Sequence, residues 1–324
     1  MTVRRPIVVG VDGSPASFAA IRWAAAMAAR RHAPLHLVHA IGVPVHAMPV
    51  IGSLLFDISA YRQIGESALG QGRSIVGQLG GFSRDVDVQT FLDLPTPVAA
   101  LAARSATAQL LVIGARGLDS LERVLFGSVG VGLMKHADCP VAVIPAAADT
   151  APPASHWPIL VGVDGSRCSA HAVAIAFDEA ASREVGLVAV TTWPDRHDSP
   201  STAQDRAEVL LEESLAGFSD KYPDVRVDRV VVEGRPAQRL LEASRTAQLV
   251  VLGSRGRGGV AGAALGSVSQ TVLQSSRIPV LIAACRRRSP HTVSRRACAR
   301  AWPSAVGRMR PTRRSSRSGQ ESPA

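Results

Sequence analysis

Two short sequence motifs, each present twice, contain the residues whose types and spacing could do chemistry. The first is Val-Asp-Gly-Ser, at 11–14 and again at 163–166. An aspartate directly after an apolar run either caps a turn or accepts a hydrogen bond from a hydroxyl or amine of a ligand. Ser14 also fits the simpler role of a helix N-cap, because Pro15 follows it at the position where proline often begins a helix.

The second motif is glycine-rich, with the spacing Gly-x2-Gly-x9-Gly-Ser. It occupies 114–128 and again 253–267. Glycines let backbone N–H groups approach a ligand closely, and Gly-Ser before a helix adds unpaired donors at the positive end of the helix dipole. One such loop is weak evidence, since many strand-to-helix turns need glycine. The same spacing kept twice, beside an intact Val-Asp-Gly-Ser, predicts a phosphate-binding site.

Both motifs belong to two copies of one repeated unit. Residues 7–17 are identical to 159–169 at 8 of 11 positions, and 105–129 are identical to 244–268 at 12 of 25. A Pro-rich and Ala-rich stretch between the copies is typical of a linker. The sequence therefore predicts two domains, at 1–147 and 158–284, followed by a tail at 286–324.

Within each copy, short β-branched runs alternate with longer helical stretches. The strands predicted in the first copy are 7–11, 35–40, 86–91, 110–114 and 141–144, and the helices are 15–31, 61–79, 97–107 and 128–137. The strands are apolar at nearly every position, as expected for a parallel sheet covered by helices on both faces. Each copy is therefore predicted to be a doubly wound α/β domain, in which ligands bind at the carboxyl ends of the strands where the strand order reverses.

The net charge of +10 comes entirely from the tail. Residues 286–324 contain 11 arginines and one acid, so the rest of the chain is neutral. This composition predicts a disordered extension, and the alternative is a weak, sequence-independent contact with nucleic acid or another anionic surface.

Cysteine and histidine usage argues against disulfide and metal sites. The four cysteines and nine histidines are scattered, without CxxC or ligand-like spacing. This pattern predicts a reduced, cytoplasmic protein without a metal site. The sequence also has no apolar run of about 18 residues, which argues against a membrane span. Other nucleotide motifs are absent, because the chain has no GxxxxGK[ST] and no GxGxxG after the first strand of either copy.

The doubled motifs resemble those of tandem universal stress proteins of the ATP-binding type, over residues 6 to about 284. The resemblance implies a Rossmann-like, five-stranded parallel sheet of order 3-2-1-4-5 in each domain, which would bring the aspartate beside the glycine-rich loop. It also implies ATP as the ligand, with or without Mg²⁺, a homo-oligomer, and an unidentified regulatory protein as partner.

The same resemblance assigns nucleotide-binding residues by position. In the first copy they are Val11, Asp12, Ala40, Gly114, Gly117, Gly127, Ser128 and Val129. In the second copy they are Val163, Asp164, Thr192, Gly253, Gly256, Gly266, Ser267 and Val268. The first three of each set would hold the adenosine, and the others would surround the ribose and phosphates. Extra glycines within 257–262 raise the entropy lost on ordering, so the second site is expected to bind more weakly or to order only with nucleotide.

Two functions fit these features. One is a nucleotide-dependent regulatory module in stress response, and the other is a slow ATPase or nucleotidyl-transfer enzyme on the same fold. Phosphoryl transfer needs a charge clamp and a positioned base or water. The loop offers amides, one hydroxyl and one arginine, with no lysine and no carboxylate pair. The sequence therefore favours the regulatory module, assigns no catalytic residue and allows at most weak hydrolysis.

Overall fold

A computed structural model describes residues 4–42, 58–80, 85–115, 127–146, 154–193, 200–258 and 264–284. The strands are β1 (Ile7–Gly10), β2 (Leu35–Ala40), β3 (Val88–Asp93), β4 (Leu110–Ala115), β5 (Val141–Pro145), β6 (Ile159–Gly162), β7 (Leu187–Trp193), β8 (Val227–Glu233), β9 (Leu249–Gly253) and β10 (Val280–Ala283). The helices are α1 (Pro15–Arg31), α2 (Ser59–Gln78), α3 (Pro97–Ser105), α4 (Ser128–His136), α5 (Arg167–Arg183), α6 (Pro200–Leu215), α7 (Phe218–Lys221), α8 (Pro236–Ala243) and α9 (Ser267–Ser275).

Each half of the chain contributes five parallel strands in the predicted order. The first half runs β3-β2-β1-β4-β5, and the second half repeats this order as β8-β7-β6-β9-β10. The central strands β1, β4, β6 and β9 are almost entirely buried, because helices cover both faces of the sheet. The predicted doubly wound fold is confirmed, and in each half the strand order reverses between the first and fourth strands.

The two halves share one ten-stranded sheet, which the sequence did not predict. Strand β5 pairs with β10 in antiparallel register, with Val143 opposite Val280 and Val141 opposite Ile282. Side chains of both strands lie in one buried apolar cluster that also includes Leu133 of the first half. One edge strand of each half, β5 or β10, is thus covered by the other half.

Strand β3 lies two residues later than the predicted 86–91. Its pairing with β2 begins at Val88, opposite Leu35. Val86 packs against the core while the chain enters the sheet, so its apolar character reflects burial outside the strand pairing. An apolar pattern alone cannot distinguish these two situations.

A buried cluster of charges joins α1 of the first half to α5 of the second. The Arg31 guanidinium donates hydrogen bonds to Asp178 at 2.6 Å and to Glu179 at 2.7 Å, and all three side chains are at most 3% exposed. Arg183 also donates to Glu179, at 3.0 Å. Burial raises the pKa of Glu179, but the charges of Arg31 and Arg183 outweigh burial and hold the pKa below its usual value. Glu179 is therefore ionised at neutral pH.

Among the described helices, none combines the length and the apolar character needed to cross a bilayer. The tail predicted at 286–324 lies outside the described residues.

Removal of the tail is expected to leave the fold intact. Strand β10 already pairs with β9 on one side and β5 on the other, and unpaired arginines are costly to bury. A chain ending at Ala284, whose carbonyl oxygen lies 3.0 Å from His171 Nδ1, should keep the thermal midpoint of the full chain. It should also lose salt-sensitive retention on heparin. A midpoint lowered by several degrees would show that the tail belongs to the fold.

Candidate functional site

Each half has a cavity at the carboxyl edge of its strands, beside the point where the strand order reverses. We call them the first cavity, in the half at 4–145, and the second cavity, in the half at 158–284. Their volumes are about 210 Å³ and about 660 Å³, respectively. The second volume is within the range of small-molecule sites.

The predicted site residues come together in these cavities. The second cavity is lined by all eight residues assigned to it, namely Val163, Asp164, Thr192, Gly253, Gly256, Gly266, Ser267 and Val268. The first cavity is lined by seven of its eight, namely Val11, Asp12, Ala40, Gly114, Gly127, Ser128 and Val129. The eighth, Gly117, lies outside the described residues. Two motifs far apart in the sequence thus face one space in each half.

Val-Asp-Gly-Ser forms a tight turn that leads into α1. Gly13 has a φ of +83°, a left-handed conformation that favours glycine. Asp12 Oδ1 accepts hydrogen bonds from the Ser14 amide at 3.0 Å and the Ser14 hydroxyl at 2.6 Å. The Ser14 hydroxyl accepts one from the Ser17 amide at 3.2 Å, so Ser14 is the N-cap of α1. The aspartate therefore caps the turn, whatever else it binds.

The hydrogen bonds in this turn also determine the charge of Asp12. Burial raises the pKa of the Asp12 carboxyl, but hydrogen bonds from Ser14 and Ser17 outweigh burial and hold the pKa below its usual value. Asp12 is therefore a carboxylate at neutral pH. Its contribution to stability is complete above the unfolded-state pKa and is lost as the pH falls through the lower folded-state pKa. Because it is ionised, it can only accept hydrogen bonds from a ligand.

The first glycine of each glycine-rich motif is required by packing. A Cβ at Gly114 would lie 2.7 Å from the Ser17 amide nitrogen, and a Cβ at Gly253 would lie 2.7 Å from the carbonyl carbon of Cys168. These glycines let β4 and β9 end directly against the first turns of α1 and α5. Their presence is explained without any ligand.

The third glycine of each motif has a different environment. A Cβ at Gly127 would meet no described atom within 4 Å, and one at Gly266 would make only ordinary contacts of 3.5 Å or more. Neither backbone is left-handed, with φ of −58° and −76°. Among the described residues nothing requires glycine at either position, and both glycines line a cavity. This is the environment expected where a ligand occupies the space beside the backbone.

Both glycines precede helices whose first turns have no side-chain cap among the described residues. Helices α4 and α9 begin after Gly127 and Gly266, and the first helical hydrogen bonds reach back to these glycines from Val131 and Gln270. The amides of the three residues between have no partner within the helix. In contrast, Ser14 caps α1 and Ser166 caps α5. The uncapped helix starts at the cavities can therefore bind an anion.

Arginines add positive charge to the second cavity. Arg206 of α6, Arg255 and Arg257 line it together with a single carboxylate, Asp164, among the described residues. Arg255 is the arginine of the second glycine-rich motif, and its counterpart in the first motif, Arg116, lies outside the described residues. Arg206 was missed because α6 is distant from both motifs in sequence. The described lining favours an anionic ligand.

His39 is a cavity residue that sequence analysis did not assign. It lies near the end of β2 and lines the first cavity. Its Nδ1 is 2.8 Å from the Val11 carbonyl oxygen, and the Val11 amide donates to Val38 at 2.8 Å. A ligand could still bond to Val11 through the second lone pair of its carbonyl. In the second half, Thr191 stands at the position equivalent to His39.

The fold and the two cavities define a doubly wound α/β protein with a cleft at the point of strand-order reversal in each half. Residues 4–145 and 158–284 each match the model of the Universal stress protein family, and the chain belongs to this family.

Relatives and solved structures match the chain over both halves or over a part about the length of one half. Universal stress protein Rv2005c of Mycobacterium tuberculosis is 43% identical over 287 residues, which are 86% of this chain and 96% of that protein. A universal stress protein structure from Archaeoglobus fulgidus has the same fold, with a TM-score of 0.64 and 20% identity over 86% of this chain and 97% of that one. A universal stress protein solved in complex with cAMP is 25% identical and covers 39% of this chain and 97% of its own, with a TM-score of 0.34.

Proposed function

We propose that this protein binds ATP in both cavities and acts as a nucleotide-dependent regulatory module in stress response. The observation that carries the proposal is the second cavity. There, the eight residues assigned from the sequence meet the uncapped first turn of α9 and three arginines. Amides at a helix start together with guanidinium groups bind phosphate, and the volume of about 660 Å³ is sufficient for a nucleotide.

The lining residues divide between the two parts of the ligand. The phosphates would lie beside Ser267 and Val268, at the start of α9. The adenosine would lie beside Asp164, two residues after β6, and Thr192, near the end of β7. In this arrangement the Asp164 carboxylate accepts a hydrogen bond from a ribose hydroxyl or an adenine amine.

Binding is favoured over catalysis by the groups present. Asp164, the one carboxylate in the described lining of the second cavity, already accepts a hydrogen bond from the Ser166 amide at 2.9 Å. Efficient phosphoryl transfer would need a further base or water-orienting group. ATP instead stabilises one state of the loops around the cavity and so changes the surface that a partner protein meets. The partner, the homo-oligomer, Mg²⁺ and the cytoplasmic location stay predictions from the sequence.

Titration calorimetry with ATP and Mg²⁺ tests the proposal. The expected stoichiometry is two per chain, or one if the glycine-rich second loop or the smaller volume of the first cavity weakens a site. Tripolyphosphate is the control and should bind more weakly, because it lacks the adenosine that Asp12 and Asp164 would hold. ADP measured in the same samples should stay far below the ATP bound. No heat at millimolar ATP would contradict the proposed function, and rapid ADP release would favour the enzyme.

A further inference from the structure

Helix α9 borders both cavities. Its start, from Gly266 to Ser269, lines the second cavity. Leu273, two turns further along the same helix, lines the first cavity, whose other described lining residues all belong to the first half. The arrangement is not symmetric, because every residue in the described lining of the second cavity belongs to the second half. Among the described residues, only the first cavity is lined in part by the opposite half.

The start of α9 is attached to the strand end beside the second cavity. The Ser269 hydroxyl donates to the Gly253 carbonyl at 2.7 Å, and the Gly266 amide donates to the Ser254 carbonyl at 2.8 Å. Leu273 lies about 10 Å further along the helix axis, at 1.5 Å per residue. It is 5% exposed and packs in the apolar cluster that joins the two halves. A shift at the start of this short helix therefore shifts one wall of the first cavity.

We propose that α9 couples the two sites, so that ATP in the second cavity raises the affinity of the first cavity for ATP. This inference rests on the proposed function, since ATP is the ligand at both sites. Phosphate bound at the first turn of α9 restrains the remaining motion of this helix and so holds Leu273 against the first cavity. A second ATP then binds to a wall that is already ordered, which gives positive cooperativity. The coupling is reciprocal, as linkage requires.

Three titrations with ATP measure the coupling, on the parent chain and on two variants that each keep one site. Gly266→Leu blocks the second cavity and Gly127→Leu blocks the first. Neither substitution adds a charge that could itself act on a helix start. The product of the two stepwise association constants of the parent chain, divided by the product of the two single-site constants, is the coupling factor. We expect a factor of about five or more, at the lower end of typical couplings.

Substitutions of Leu273 test whether this side chain carries the coupling. Leu273→Ala, introduced into the parent and into both blocked chains, should reduce the coupling factor to near one. Leu273→Val removes less volume, should fold if the alanine variant does not, and should give an intermediate factor. Met134→Ala is the matched control. Met134 occupies the position on α4 that Leu273 occupies on α9, and it is not among the described lining residues of the second cavity. This control should leave the factor unchanged.

The outcomes separate this inference from the proposed function. If the parent chain binds ATP at one site only, or at two sites with a coupling factor of one or less, the coupling is wrong and ATP binding stands. If the factor survives in both Leu273 variants, the assignment to α9 is wrong. If the parent chain binds no ATP, the proposed function fails and the inference fails with it.

Discussion

The double variant Gly127→Glu/Gly266→Glu is expected to lose ATP binding while the protein stays folded. The described structure leaves room for a side chain at both positions, since a Cβ would meet nothing within 4 Å at Gly127 and nothing closer than 3.5 Å at Gly266. Both backbones have φ values that any residue adopts. Each glutamate would place bulk and a negative charge where phosphate is proposed to lie, so each single variant should reduce the stoichiometry by one site.

Calorimetry measures the stoichiometry and affinity of ATP binding, and circular dichroism with thermal unfolding shows whether each variant is folded. The matched control is Gly70→Glu, which adds the same charge at an exposed position of α2 with nothing within 4 Å of the new Cβ. It should bind ATP like the parent chain. Gly114→Ala cannot serve this purpose, because its Cβ would lie 2.7 Å from the Ser17 amide nitrogen and would disturb the fold. Parental ATP affinity in the folded double variant would mean that the site is misplaced.

The doubly wound α/β class could be predicted from short-range patterns, whereas the strand order and most of the cavity lining were implied by the resemblance to the family. The repeat, the apolar strands and the serine before each capped helix act within a few residues of the chain. The meeting of Asp12 with Gly127 followed from the implied strand order, which places β1 beside β4. The roles of the glycines could not be predicted in this way. Gly114 and Gly127 are both glycines of one motif. Only their neighbours in the structure show that Gly114 is needed for packing.

The contacts between the halves could not be predicted from local sequence patterns. Buried strands such as β5 and β10 are apolar on both faces, and nothing in that composition shows which edge pairs with which. Leu273 has the same helical spacing as any core leucine, so its position beside the first cavity had no sequence signal. Arg31 stands at the end of a helix, where a basic residue also interacts favourably with the helix dipole. Its burial against α5 depends on the pairing of β5 with β10.

Replacement of Arg31 by alanine is expected to destabilise the protein strongly. Arg31 donates to Asp178 and Glu179, and removal of the guanidinium leaves both buried carboxylates without that partner. Loss of one member of a buried ion pair costs about 3–5 kcal/mol. Urea unfolding at pH 7 should show this loss in the free energy of unfolding. Arg73→Ala, at an exposed position of α2, is the control for removal of a positive charge and should change the free energy by less than about 0.5 kcal/mol.

The pH dependence of this loss tests whether it is electrostatic. In the parent chain the pKa of Glu179 lies below its usual value. Its contribution to stability is therefore complete above the unfolded-state pKa and is lost only as the pH falls through the lower folded-state pKa. In Arg31→Ala one opposing charge is gone and burial favours the neutral carboxyl, so protonation at low pH relieves part of the penalty. The difference between parent and variant should therefore shrink from pH 7 to pH 5.

A second substitution separates the unpaired charge from lost packing. Arg31→Met keeps most of the side-chain volume, and Asp178→Leu then removes one carboxylate while Glu179 keeps its hydrogen bond from Arg183 at 3.0 Å. Buried ion pairs replaced by apolar residues of similar volume are often neutral or stabilising. The double variant Arg31→Met/Asp178→Leu should therefore recover most of the stability lost in Arg31→Met alone. If Arg31→Met and Arg31→Met/Asp178→Leu are equally unstable, the cluster holds the halves together through hydrogen-bond geometry that apolar packing cannot replace.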